Sequence, residues 1–207
     1  MSDDTSGNEK ASASDQPGDW RLWLPALFDA DETTRRIASE VLGNSGDPEA
    51  IRPLLAALDD VRGMIAGGGV VARALVRLRD VWSVDVFVAA LSDARSYVRR
   101  AAAEALGWLR DVGAVDALIS ALHDEFFGVR LEACWALGEL GDSRALQPLV
   151  ETMHDEDENV RRNAAEALGQ LGDPRARNAL LDALSDDDPS VRAAAEDALH
   201  RLSFEAG

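Results

Sequence analysis

Three histidines, one cysteine, a glycine run and a recurring arginine–aspartate spacing are the residues of this chain whose types could carry chemistry. His123-Asp124 and His154-Asp155 are consecutive pairs 31 residues apart. Imidazole beside carboxylate can hold a metal ion. Neighbouring helical units would set these histidines about 8–10 Å apart, too far to share one ion at ligand distances near 2 Å. They read as surface histidines, and no metal is expected. Cys134 stands alone in the middle of a helical pattern and reads as a small core residue rather than a nucleophile. Gly67-Gly68-Gly69 lacks the Lys-Ser/Thr that completes a phosphate loop. No catalytic residue and no cofactor are assigned.

The arginines are more regular. Arg99, Arg130, Arg161 and Arg192 follow one another at a constant step of 31 residues. Asp93, Asp124, Asp155 and Asp186 each stand six residues before one of them, and Asp29 stands likewise before Arg35. Arginine's planar fork binds carboxylates at two points at once. The array could be an anion-binding ladder or a purely structural one. Gly68 occupies the arginine position in the copy of residues 67–93. Three successive glycines weaken a helix start by roughly 1 kcal/mol each, so this copy is either a soft joint or a longer loop with a shorter helix.

The elements that position these residues follow from the same step. Residues 98–124, 129–155 and 160–186 align as copies. In the first, Val98, Ala102, Leu106 and Leu109 fall at i, i+4, i+8 and i+11, one stripe of an α-helix. Gly-Asp-Pro or Gly-Asp-Ser follows in most copies, as at Gly46-Asp47-Pro48 and Gly141-Asp142-Ser143. Glycine ends one helix in a left-handed conformation; aspartate caps the next, whose first position suits proline. Each copy is therefore a helix pair. A pair this short cannot bury its apolar face alone, so pairs must stack. Residues 1–19 show no apolar periodicity and read as a disordered tail ahead of a solenoid over 20–207.

The chain has 207 residues, with 38 acids against 21 bases and a net charge of −17; Lys10 is its single lysine. So negative a field opposes binding to nucleic acid. The chain lacks both a long uncharged apolar run and a secretory leader, so no membrane insertion is expected and a cytoplasmic location is.

Val-Arg-x-x-Ala-Ala-x-Ala-Leu-Gly-x-Leu-Gly-Asp-Pro-Arg-Ala (160–176) resembles the HEAT repeat, specifically the short type first associated with phycobilin lyases. The resemblance covers residues 20–207. It implies an all-α, right-handed α-α superhelix of about six helix-pair repeats, the terminal ones partial. First helices would lie on the convex side and second helices on the concave side. Residues 20–28 would be an unpaired second helix and 188–202 an unpaired first helix. It also implies that the aspartates and arginines tie one repeat to the next. Deoxyhypusine hydroxylase, a relative with similar repeats, uses His-Glu dipeptides in first helices. Here the matching positions hold Arg100-Ala101, Leu131-Glu132 and Arg162-Asn163. The acidity and single lysine resemble proteins of salt-loving archaea, whose small relatives with these repeats include taxis-signalling components.

Departures from the repeat point to a partner. The outward stripe of the first helix reads Arg162, Glu166, Gln170 in one copy and Arg100, Glu104, Trp108 in another. In the copy between them it reads Phe127, Leu131, Trp135, with Phe126 alongside. A contiguous aromatic cluster on a face that is polar in sibling copies marks a contact surface. Trp108, Phe126, Phe127, Leu131 and Trp135 are therefore the expected protein-binding patch. A mixed groove on the second helices is a further candidate: Arg52, Asp85, Asp116, Gln147 and Asn178, with Trp82 as its aromatic. The function expected is a non-catalytic protein-binding scaffold or adaptor; the alternative is a lyase or chaperone of a linear tetrapyrrole.

Overall fold

The computed structural model describes residues 19–57, Leu78 and residues 84–204. The tail of residues 1–18, the glycine run at 67–69 and Trp82 lie outside the described residues. All regular structure among the described residues is helical. In chain order the helices are α1 (Glu32–Gly43), α2 (Ile51–Ala56), α3 (Val84–Ala90), α4 (Ser96–Leu109), α5 (Val115–Ala121), α6 (Phe127–Leu140), α7 (Leu146–Thr152), α8 (Glu158–Leu171), α9 (Arg177–Ala183) and α10 (Pro189–Phe204). Long first helices α4, α6, α8 and α10 pack side by side in one layer. The short second helices α3, α5, α7 and α9 each pack on the first helix that follows them.

The local chemistry of each hairpin is the same. Gly141 and Gly172 end α6 and α8 at φ 64° and 68°, left-handed values that cost glycine little. Asp47, Asp111, Asp142 and Asp173 then accept a hydrogen bond from the N–H two residues on, capping a single 3-10 turn that leads into the second helix. At the end of α4 the glycine is missing, and Arg110 takes the left-handed conformation at φ 52°. Residues 20–28 do not form one second helix. They make two 3-10 turns, Trp20–Trp23 and Pro25–Phe28. Pro25 has no N–H to give to the carbonyl of Arg21, which would be its helical acceptor, so the helix divides there.

The core is built by position. Val98, Val129, Val160 and Val191 are buried, as are Ala102, Ala133, Ala164 and Ala195, and Leu106, Leu137 and Leu168. The first helices also meet without side chains between them. A Cβ added at Gly107, Gly138 or Gly169 would lie 3.0, 3.0 and 2.9 Å from the Cα of Ala136, Ala167 and Ala198. Glycine and alanine at this seam permit the close approach. On α10 the equivalent position holds exposed His200.

Candidate functional site

Each recurring arginine bridges two loops. Arg99 donates from Nε and Nη2 to both carboxylate oxygens of Asp124 (2.6 and 2.8 Å) and from Nη1 to the backbone oxygens of Asp93 and Ala94 (3.0 and 3.2 Å). Arg130 grips Asp155 at 2.7 and 2.8 Å and the backbone oxygen of Asp124 at 2.9 Å. Arg161 grips Asp186 at 2.8 and 2.9 Å and the backbone oxygen of Asp155 at 2.9 Å. So the aspartate six residues back contributes its carbonyl, and the carboxylate comes from the aspartate 25 residues ahead. Arg35 and Arg192 make only the backbone half, to Asp29 and Ala30 and to Asp186 and Asp187. Arg161 holds the Asp186 carboxyl below the usual range. Burial pushes Asp124 up, but the bonds from Arg99 and the Phe126 N–H outweigh it and the carboxyl sits below its ordinary value.

Asp93 would face an arginine at position 68, where the chain has Gly68. Arg95 takes the vacancy from the other side. Its Nε and Nη2 bind both Asp93 oxygens at 2.8 and 2.9 Å, and its Nη1 reaches the backbone oxygen of Ala56 at 2.7 Å. This fork holds the Asp93 carboxyl down at about 2. The guanidiniums of Arg99, Arg130 and Arg161 are thus saturated by the chain itself, which leaves them nothing to offer an external anion.

The aromatic cluster falls into two pairs. Trp108 and Trp135 meet edge to face with ring centroids 5.2 Å apart. Phe126 and Phe127 lie 5.1 Å apart. Trp135 is half-buried because its indole crosses onto α4 over Gly107, where a Cβ would collide with the ring. Trp108 remains 59% exposed and Phe127 39% exposed. Leu131 is half-buried, one turn from each of Phe127 and Trp135 on α6.

A titratable group that the residue pattern did not single out lies in the same α4–α6 region. Glu132 accepts from Arg100 Nη1 at 3.1 Å. Burial, reinforced by the neighbouring Glu104 charge and opposed by Arg100, pushes its carboxyl up to about 7. The sequence signal was available: Glu132 stands beside Leu131 on the departing stripe, with Arg100 and Glu104 on the adjacent helix.

Of the second-helix groove, Arg52, Asp85, Asp116, Gln147 and Asn178 are all exposed. Asp116 is bound by Arg144 Nη1 at 3.0 Å, and Gln147 donates to Glu151. His123 and His154 are exposed on successive loops. Among the described residues no three His, Cys, Asp or Glu side chains converge as a metal-binding group. Cys134 is fully buried, which pushes its thiol far up and away from the reactive thiolate.

Solved structures share this architecture. The complex of CpcE and CpcF of phycocyanin lyase from Nostoc sp. PCC7120 is 26% identical, with a TM-score of 0.53, covering 97% of this chain and 83% of that chain. Human deoxyhypusine hydroxylase is 25% identical, with a TM-score of 0.54, covering 89% of this chain and 74% of that chain. A designed armadillo repeat protein aligns with a TM-score of 0.58 at 21% identity, covering 89% and 99% of the two chains, a likeness of fold alone. No curated protein matches the sequence. The model of the PBS lyase HEAT-like repeat matches residues 34–60. The model of HEAT repeats matches residues 69–127 and 115–200, more than half the chain. With its stacked helix pairs and a matching family model over most of them, the chain belongs to the HEAT-repeat family.

Proposed function

We propose that this protein is a non-catalytic scaffold or adaptor whose partner-binding surface is Trp108, Phe126, Phe127, Leu131 and Trp135. The observation that carries the reading is exposure where the repeat is otherwise polar. Trp108 and Phe127 keep large parts of their rings in water, and sibling copies hold Glu139 and Gln170, or Ser96 and Glu158, at those positions. Exposed aromatics gathered in one place on a rigid repeat array are the composition of an interface core. The ladder arginines serve the stacking, the cysteine is buried, and no residue is assigned to a reaction. In finer form, the reading is a taxis-signalling adaptor in a salt-loving cell, supported by the acidic composition and the short repeats.

Affinity capture at high salt tests it, with the wild-type chain beside the Leu131→Arg/Trp135→Glu double variant, which restores residues of the sibling copies. The expected result is a partner retained by the first and lost by the second at equal helicity. A partner held equally by both defeats the assignment.

A second reading has one observation in its favour: the phycocyanin lyase complex aligns over nearly the whole chain. It would make the protein a lyase or chaperone for a linear tetrapyrrole. Mixing the purified chain with a linear tetrapyrrole and a candidate acceptor protein separates the two readings. A shifted visible spectrum favours the tetrapyrrole role; an unchanged one favours the scaffold.

A further inference from the structure

The two phenylalanines of the patch border a cavity of about 370 Å³ lined by Glu125, Phe126, Phe127, Arg130, Glu156, Asp157 and Glu158. The loops on either side are equivalent, one repeat apart, so each residue has a sibling for comparison. Phe126 and Phe127 stand where the other loops have Arg95-Ser96, Asp157-Glu158 and Asp188-Pro189. At this loop alone the chain puts two aromatic rings at the helix start, and it leaves one of them exposed.

The wall around the rings carries one sign of charge. Arg130 is already held by both oxygens of Asp155. Asp157 is occupied with the N–H groups that open α8. Glu125 and Glu156 have side chains 85% and 88% exposed and touch the ladder only at its edge, 3.2 Å from Arg99 and 3.5 Å from Arg130. Glu158 is exposed and has no ion-pair partner among the described residues. An apolar anchor alone would be met here by unpaired carboxylates, and an acidic partner would be repelled. A guanidinium satisfies both halves of the site: its flat face stacks on Phe127, and its edge bonds two carboxylates at once.

We infer that this cavity receives an arginine side chain from a basic segment of the partner protein. The inference rests on the reading of the aromatic cluster as the docking surface and adds the partner's chemistry. Glu125 and Glu156 recur one repeat apart, a step of about 8–10 Å. An extended strand rises about 3.3 Å per residue, so arginines three residues apart meet successive carboxylates.

The test is fluorescence anisotropy of the full chain with two labelled peptides. One carries two arginines three residues apart in a Gly-Ser background, and the other carries glutamines in their place. The arginine peptide is expected to bind saturably and more weakly as salt rises. Phe127→Ser and the double variant Glu156→Gln/Glu158→Gln should each weaken it by roughly tenfold. All three substituted side chains are exposed, and circular dichroism verifies that the fold is intact. Equal binding of the glutamine peptide overturns the inference, as does arginine-peptide binding indifferent to Phe127→Ser. The capture experiment with Leu131→Arg/Trp135→Glu reads the docking surface separately. A partner lost there, with no arginine peptide bound here, removes the basic-segment inference and leaves the surface standing.

Discussion

Glu132 carries a cost that pH can reveal. Its carboxyl is pushed up to about 7 by burial and by Glu104, against Arg100. A folded-state value above the unfolded one means that the ionised form opposes folding. The stability associated with protonation is complete below about 4.5 and is lost as the pH rises through about 7. The loss amounts to at most about 3 kcal/mol. Glu132→Gln keeps an oxygen for Arg100 and removes the charge. Thermal melts should show the variant more stable than the wild type at pH 8 and equal to it near pH 4.5. A wild-type Tm as high as the variant's at pH 8 would contradict the assignment. Arg110 offers a second test at this scale. Its left-handed backbone costs an L-residue about 1 kcal/mol or more, and sibling copies use glycine there. Arg110→Gly should raise Tm by several degrees despite losing its ion pair with Glu139. Arg110→Ala keeps the strain and should not. The strained residue could be read from the alignment, which puts Arg110 opposite Gly141 and Gly172. The Glu132 shift could not, because it depends on how deeply the α4–α6 seam buries a side chain at the margin of the outward stripe.

Between elements, the arginines decide stacking. The step of 31 residues and the two helices per copy were legible from valine, alanine and leucine spacing, because core positions recur wherever the hairpin recurs. The aspartate six residues back was legible as a companion, but its role was not. Only stacking of successive loops shows that its carbonyl serves one arginine and its carboxylate the preceding one. The Arg95 substitute rung was also hidden, since nothing local distinguishes it from an exposed loop arginine. The division of residues 20–28 could have been read from Pro25. Removing an internal rung leaves a carboxylate in a partly buried site. Arg130→Ala should cost about 3–5 kcal/mol in urea unfolding. Arg192→Ala loses only bonds to two backbone oxygens and should cost about 1 kcal/mol. Equal costs would show that the bidentate carboxylate contact contributes nothing.

The whole molecule carries −17, yet many of its charges are committed. Ladder arginines face ladder aspartates, and capping aspartates face helix starts. The surplus is acid on the surface, and self-repulsion of that surplus is screened as salt rises. Tm should therefore increase from low to molar salt; a fall would mean that exposed ion pairs, not repulsion, dominate. The aromatic cluster was legible as a departure from the repeat, and its division into two pairs, one crossing onto Gly107, was not. The measurement that tests the account most directly is the Kd of the captured partner for the wild-type chain and for Leu131→Arg/Trp135→Glu. Truncation at the centre of an interface costs 2 kcal/mol or more, so the account predicts a loss of at least about thirtyfold at unchanged helicity. An unchanged Kd would place the partner on another face and contradict it.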